Sequence, residues 1–210
     1  MPEKKLKILL VGASGVLGRA VADELRQRHE VVTAGRSSGD IRLDLTDPAS
    51  IERALDDCGP LDAVASATGR VNFLPLAEMR PARTSDSSYF LGLDDKVMGQ
   101  VNLALAAMTR LADGGSITLT TGILCEQPIA AGTSASMANG AVEAFVRAAA
   151  VELPRGLRIN VVSPTVLTEA MDAYAPFFRG FEPVSAARAA LAFSRSVEGL
   201  QTGQVYKVGW

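Results

Sequence analysis

The residues with the clearest chemical potential lie near the start of the chain. The run VGASGVLG at 11–18 places Gly12, Gly15 and Gly18 at the spacing G-x-x-G-x-x-G. An apolar run, Ile8 to Val11, precedes it, and a helix-like stretch, Arg19 to Arg28, follows. Strand, glycine turn and helix in that order make an anion cradle. Gly12 permits the tight turn, Gly15 lets backbone amides approach a pyrophosphate, and Gly18 lets the helix pack against the strand. The amides and dipole at the start of that helix favour negative charge, with Ser14, Val16 and Leu17 completing the turn. The commoner spacing is G-x-G-x-x-G, but the placement after a strand implies dinucleotide binding.

Other chemistry is bounded by composition. The single histidine, His29, sits at a helix–strand junction and reads as structural, which leaves no His-based triad and no multi-His metal site. Cys58 and Cys125 stand alone without metal-ligand spacing and fit reduced thiols in a cytoplasmic protein. No metal is expected. The net charge of −2 gives no footprint for nucleic acid or an acidic membrane surface. Lys4, Lys5 and Lys7 read as a solvated lead-in to the first strand. No apolar run reaches the roughly 18–20 residues of a membrane span, and no signal peptide is visible.

The elements that must position these residues alternate. Strands are predicted at 6–11, 31–34, 62–66, 115–120, 158–162 and 204–208. Helices are predicted near 15–28, 48–57, 93–112, 134–153 and 184–198. That alternation reads as a single α/β domain spanning 1–210, a parallel sheet with helices on both faces. Gly39 to Asp47 reads as a loop with a short apolar stretch, and Arg80 to Ser88 as a polar, flexible loop. The helix at 134–153 carries Met137, Ala141, Val142, Phe145 and Val146 on a broad apolar surface. That surface suits a helix-mediated dimer or a covered core helix.

Several segments together resemble the short-chain dehydrogenase/reductase family over nearly the whole chain. They are VGASGVLG, AGRSS at 34–38, LDLTD at 43–47, ASATG at 65–69, GGSITLTTG at 114–122, GAVEAFVRAAAVEL at 140–153, RINVVSP at 158–164 and TGQVYKV at 202–208. The resemblance implies a Rossmann-type doubly wound sheet with the cofactor at the carboxyl ends of the strands. Where NAD-dependent relatives carry an acid after the second strand, this chain reads Gly35-Arg36-Ser37-Ser38. Arg36 suits a 2′-phosphate and Ser37 adds a hydrogen bond, so NADP(H) is favoured over NAD(H), although Arg36 also reads as a plain surface residue. Asp44, with Leu45 beside it, matches the position that meets the adenine amine, or caps a turn. Ala67, Thr68 and Gly69 stand where the family has Asn-Ala-Gly. Pro164 to Thr168 matches the family's Pro-Gly…Thr run with Thr165 in place of glycine, so Val166 and Thr168 would hold the nicotinamide amide and a phosphate.

The resemblance also implies a Tyr-x-x-x-Lys pair, a serine and an asparagine, and here the pattern breaks. The tyrosine position falls on Ala135 and the lysine position on Asn139. The asparagine position falls on Lys96, so lysine and asparagine have traded places. Lys96 then either serves the site, where burial would let it protonate a substrate oxygen, or is solvated. The serine position falls on Thr120 or Thr121. Ser136 adjoins the empty tyrosine position, but its hydroxyl is too weak an acid to act unaided. Tyr89 either folds over the site or packs elsewhere. Cys125 is either a buried inert thiol or part of the substrate pocket. The lid, Glu169 to Glu182, carries Met171, Tyr174, Phe177, Phe178 and Phe181, which fits an apolar small substrate as well as ordinary packing.

Three functions stay open. One is an NADP(H)-dependent oxidoreductase acting on a small carbonyl or alcohol. The second is a non-catalytic NADP(H)-binding sensor or partner subunit. The third is a lyase or isomerase on the same fold, since fold does not fix chemistry. A homodimer or homotetramer through the helices at 93–112 and 134–153 is the expected assembly.

Overall fold

The computed structural model describes residues 5–82 and 88–210. Lys4 and the centre of the polar 80–88 segment lie outside them. Seven strands form one sheet: β1 (Lys7–Val11), β2 (Glu30–Gly35), β3 (Ile41–Arg42), β4 (Leu61–Ser66), β5 (Leu111–Thr120), β6 (Arg158–Pro164) and β7 (Val205–Val208). Their order is β3-β2-β1-β4-β5-β6-β7, and every pairing is parallel. The order reverses between β1 and β4, so the chain doubles back there and opens a crevice at the strands' carboxyl ends. This is the expected Rossmann-type α/β fold.

The described residues form six α-helices: α1 (Val16–Arg26), α2 (Pro48–Cys58), α3 (Gly99–Arg110), α4 (Thr133–Glu152), the short α5 (Met171–Tyr174) and α6 (Ala186–Glu198). The two-residue period of the strands sorts their side chains between two cores. Leu9 and Val11 of β1 face a core shared with Ile51 and Leu55 of α2, Leu103 of α3 and Val142 of α4. Ile8 and Leu10 face the other, shared with Val21 and Leu25 of α1 and Phe193 and Val197 of α6. Polar contacts lock α1 to α6 as well. Arg28 donates to Glu24 (2.8 Å), Glu198 (2.9 Å) and Ser194 (3.0 Å), and the Ser194 hydroxyl donates to Glu24 (3.0 Å). His29 is buried with Nε2 3.1 Å from Glu198 Oε1, a structural place as expected.

Two expectations need correction. The segment 39–47 is not wholly loop, because Ile41 and Arg42 pair with Ala34 and Gly35 and extend the sheet by one short strand. The helix expected over 93–112 is two units: a π-helical turn, Gly92–Met98, runs into α3, and Leu111 already belongs to β5. A π turn widens the ring of hydrogen bonds by one residue, which rotates Lys96 relative to a straight helix. Of the apolar residues read along 134–153, Val142 and Val146 are buried within the chain and Met137 is exposed.

Candidate active site

The glycine turn is built by close approach. Gly12 sits at φ +86° and its amide donates to Ala34 O (2.8 Å), tying the end of β1 to β2. A Cβ at residue 12 would lie 2.2 Å from Thr68 Cγ2, and one at residue 18 would lie 2.0 Å from Gly12 O. Neither position has room for a side chain. Gly15 caps α1 without a side-chain hydrogen bond, which leaves the first-turn amides of α1 for an anion. Leu17 and Gly18, expected among the binding residues, lie on the buried face of α1 and do not border the cleft, so their contribution is packing.

A cleft of about 620 Å³ runs from this turn along the carboxyl ends of the strands. Ser14, Gly15 and Val16 line one end, then Arg36, Ser37, Asp44 and Leu45, then Ala67, Thr68 and Gly69. The Asp44 carboxylate accepts from the Thr46 amide (3.0 Å) and hydroxyl (2.8 Å). These bonds, aided by the nearby charges of Arg36 and Arg70, hold it below its usual range. Asp44 therefore caps a turn and lines the cleft at once. Sequence reading missed the far wall. Arg70 donates from its backbone to Asp95 Oδ1 (2.7 Å) and from Nε to Asp95 Oδ2 (2.9 Å), clamping β4's exit to the π turn. Nothing local marks this pair, since the two residues are 25 apart in sequence.

Lys96 lies at the inner end of the cleft. It is only 7% exposed, and its stem lies across Gly69. No described residue accepts a hydrogen bond from its amine. Burial pushes that amine from 10.5 down to about 8, an effect that Cys125 and Asp95 partly offset. Of the two readings of Lys96, the structure gives the buried one.

Beyond Lys96 opens a second cavity of about 220 Å³. Thr121, Asn139, Thr165 and Tyr174 are its polar residues besides Lys96, and Val71, Phe73, Ala135, Val166 and Phe178 are among its apolar walls. The two threonines separate by strand alternation. Thr120 borders the cleft and donates to Ser66 O (2.6 Å). Thr121 borders the cavity and donates to Glu143 Oε1 (3.1 Å). Glu143, buried on α4, also accepts from Cys125 Sγ (3.0 Å) and from Arg147 (3.0 Å). Burial first, then this bond, pushes the Cys125 thiol up to about 12, so it is inert, and it lines neither space. Asn139 donates through Nδ2 to Gly122 O (3.3 Å), and its buried Oδ1 has no partner among the described residues.

Two further expected site residues fall elsewhere, and so does Tyr89, for which packing elsewhere is one of the two readings. Ser136 donates to Leu124 O (2.6 Å) and borders neither space. Thr168 opens a 3₁₀ turn, its amide donating to Val184 O (2.9 Å), and Leu167 takes its place at the cleft. Tyr89 borders neither space, and its carbonyl accepts from Ser134 (3.3 Å). Pro164 and Val166 line the inner cavity. The lid packs as an aromatic cluster: Phe73 lies 5.6 Å from Tyr174 and 5.0 Å from Phe177, and Phe178 lies 5.4 Å from Phe181.

Among the described residues, no cluster of His, Cys, Asp and Glu is arranged to hold a metal, and no helix is long and apolar enough to cross a membrane. The arrangement can hold an extended anionic ligand in the cleft. It can bring one end of that ligand, beside a buried cation, against a small apolar cavity.

Known proteins share this architecture. A family model described as enoyl-(acyl carrier protein) reductase matches residues 10–205. The crystal structure of the protein lin1944 from Listeria innocua is 51% identical, with a TM-score of 0.92, covering 97% of this chain and 99% of that one. A Streptomyces violaceoruber protein named as ketoacyl reductase 2 of the granaticin polyketide synthase is 27% identical over 80% of this chain and 77% of its own. A small-chain dehydrogenase crystallised with NADPH shares the fold, with a TM-score of 0.84 at 24% identity, covering 98% of this chain and 97% of that one.

Proposed function

Because the chain belongs to the short-chain dehydrogenase/reductase family, we propose that it is an NADP(H)-dependent oxidoreductase acting on a small, largely apolar carbonyl compound or alcohol. The carrying observation is the continuity of the two spaces: the glycine-turn cleft and the apolar cavity meet at Lys96.

The cleft suits the cofactor in size and lining. Sites of this kind measure about 300–1,000 Å³. Gly12 and Gly18 leave no bulk at the pyrophosphate turn, and the first-turn amides of α1 face an anion. Arg36 and Ser37 stand at the far end for a 2′-phosphate, Asp44 for the adenine, and Gly69 for the ribose beside Lys96. A structural relative crystallised with NADPH supports the same choice. When bound, NADPH supplies a hydride.

The chain's own residues then handle the substrate oxygen. Lys96, buried and without a hydrogen-bond acceptor among the described residues, offers a positive charge and a donor to that oxygen, where charge gathers as hydride moves. Thr121 has committed its proton to Glu143, so it offers the substrate a lone pair. The apolar walls take the substrate's carbon skeleton.

Titration of the protein with NADPH and with NADH tests the reading, followed by energy transfer from Trp210 and by calorimetry. NADPH binding at least tenfold tighter than NADH binding is expected. Binding of neither overturns the enzyme reading. Tight binding with no turnover on a panel of small carbonyls and alcohols favours a sensor role.

Association of two or four copies through the 93–112 and 134–153 segments belongs to the same proposal. Met98, Leu105 and Met137 stand exposed there, and sedimentation measures the assembly.

A further inference from the structure

Four described residues border both the cleft and the inner cavity: Gly69, Lys96, Leu167 and Tyr174. Any atom that passes between a ligand in one space and a ligand in the other passes among these four. Glycine and leucine carry no proton to give. Lys96 and Tyr174 do, one carried by the π turn and one by the end of α5 in the lid.

We propose that Tyr174 is the proton donor of the reaction, with Lys96 as the cation that stabilises its phenolate. This assignment rests on the oxidoreductase reading and adds the group that reading lacks. Ala135 lines the cavity with a methyl group, Ser136 faces away, and the Thr121 proton is committed to Glu143. None of these gives a proton at the junction.

Three further features of Tyr174 fit the role. Its ring is held by two neighbours, Phe73 at 5.6 Å and Phe178 at 6.2 Å, which fixes the plane without using the hydroxyl. No described residue takes a hydrogen bond from that hydroxyl. The residue is 37% exposed, so water reaches it from the lid side. A donor that is gripped by its ring, free at its oxygen and open to solvent can both act and recover.

The step balances as follows for carbonyl reduction. The carbonyl carbon accepts the hydride that the bound cofactor supplies. The carbonyl oxygen takes the phenol's proton, forming the O–H bond of the alcohol as the phenol O–H bond breaks. The phenolate left on Tyr174 borders the same junction as the Lys96 side chain. Water then reprotonates it. Alcohol oxidation runs the same proton in reverse.

The test compares wild type with Tyr174→Phe, which keeps the ring packing and removes only the hydroxyl. Both are assayed with NADPH on a panel of aryl and branched alkyl aldehydes and ketones, and NADPH affinity is measured alongside. A positioned acid contributes roughly 10²–10⁴-fold, so kcat is expected to fall at least 100-fold while NADPH affinity stays within about threefold. Retention of kcat within about threefold, or a change confined to KM, overturns the assignment and leaves Tyr174 a wall of the cavity. A wild-type protein that turns over nothing on the panel overturns the oxidoreductase reading, and the proton donor with it.

Discussion

The stem of Lys96 lies directly on Gly69: a Cβ built at residue 69 would come 2.5 Å from Lys96 Cγ and 3.0 Å from its Cβ and Cδ. Gly69 also sits at φ +122°, a conformation that side chains rarely adopt. The end of β4 and the π turn therefore fit together only through a residue without a side chain. Gly69→Ala is expected to push the lysine aside and to cost about 1–3 kcal/mol of strain. Thermal unfolding reads the strain, and a fall in kcat at unchanged NADPH affinity reads the displaced amine.

Lys96→Met replaces a buried cation by an apolar chain of similar length. Loss of one preorganised donor typically costs 10²–10³-fold in kcat, so turnover is expected to drop by roughly that factor with NADPH binding largely kept. Full activity in this variant would remove Lys96 from the chemistry.

The same lysine sets a pH dependence of stability. Its amine is pushed from 10.5 to about 8 in the folded chain. Between those values the unfolded chain holds the extra proton, so stability rises as pH rises from about 8 to about 10.5, by roughly 3 kcal/mol in all. Denaturant titrations across that window are expected to show the rise in wild type and a flatter profile in Lys96→Met.

Arg36 is the residue on which cofactor choice turns. Charge-assisted hydrogen bonds contribute about 1.5–3 kcal/mol, so Arg36→Ala is expected to weaken NADPH binding roughly 10- to 100-fold. NADH binding is expected to change little. Equal weakening of both would show that Arg36 does not read the phosphate.

Gly18 has no role at the ligand but closes the turn from behind, 2.0 Å from Gly12 O for an added Cβ. Overpacking of this kind costs about 1–3 kcal/mol, so Gly18→Ala is expected to lower Tm by roughly 3–10 °C in a chain of this size. Calorimetry without ligand measures it.

The parts legible in the sequence were those that local pattern encodes. Apolar runs marked six strands because a parallel strand is buried on both faces. β3 escaped because two residues make no pattern, and Ile41 and Arg42 are strand only through β2. The π turn escaped because periodicity sees which residues are apolar and not which carbonyl each amide meets. In the site, the glycines, Arg36 and Asp44 lie in short motifs and were found. Arg70 and Asp95 come together only in three dimensions. Glu143 was hidden in an apolar helix pattern, where a buried carboxylate needs partners that the helix itself does not show. Tyr174 read as part of a lid that either meets an apolar substrate or packs on the core, but its position at the junction is a property of the fold.

The lock between α1 and α6 has a consequence for the making of the protein. Glu24 and Ser194 are bonded across 170 residues of chain. At about 5–20 residues per second, α1 leaves the ribosome on the order of ten to thirty seconds before α6 can reach it. For that interval Val21 and Leu25 have no Phe193 or Val197 to cover them. The nucleotide turn that α1 carries is thus completed early in local structure and sealed late. In this chain the half-made protein, more than the finished one, is the species that a chaperone would have reason to hold.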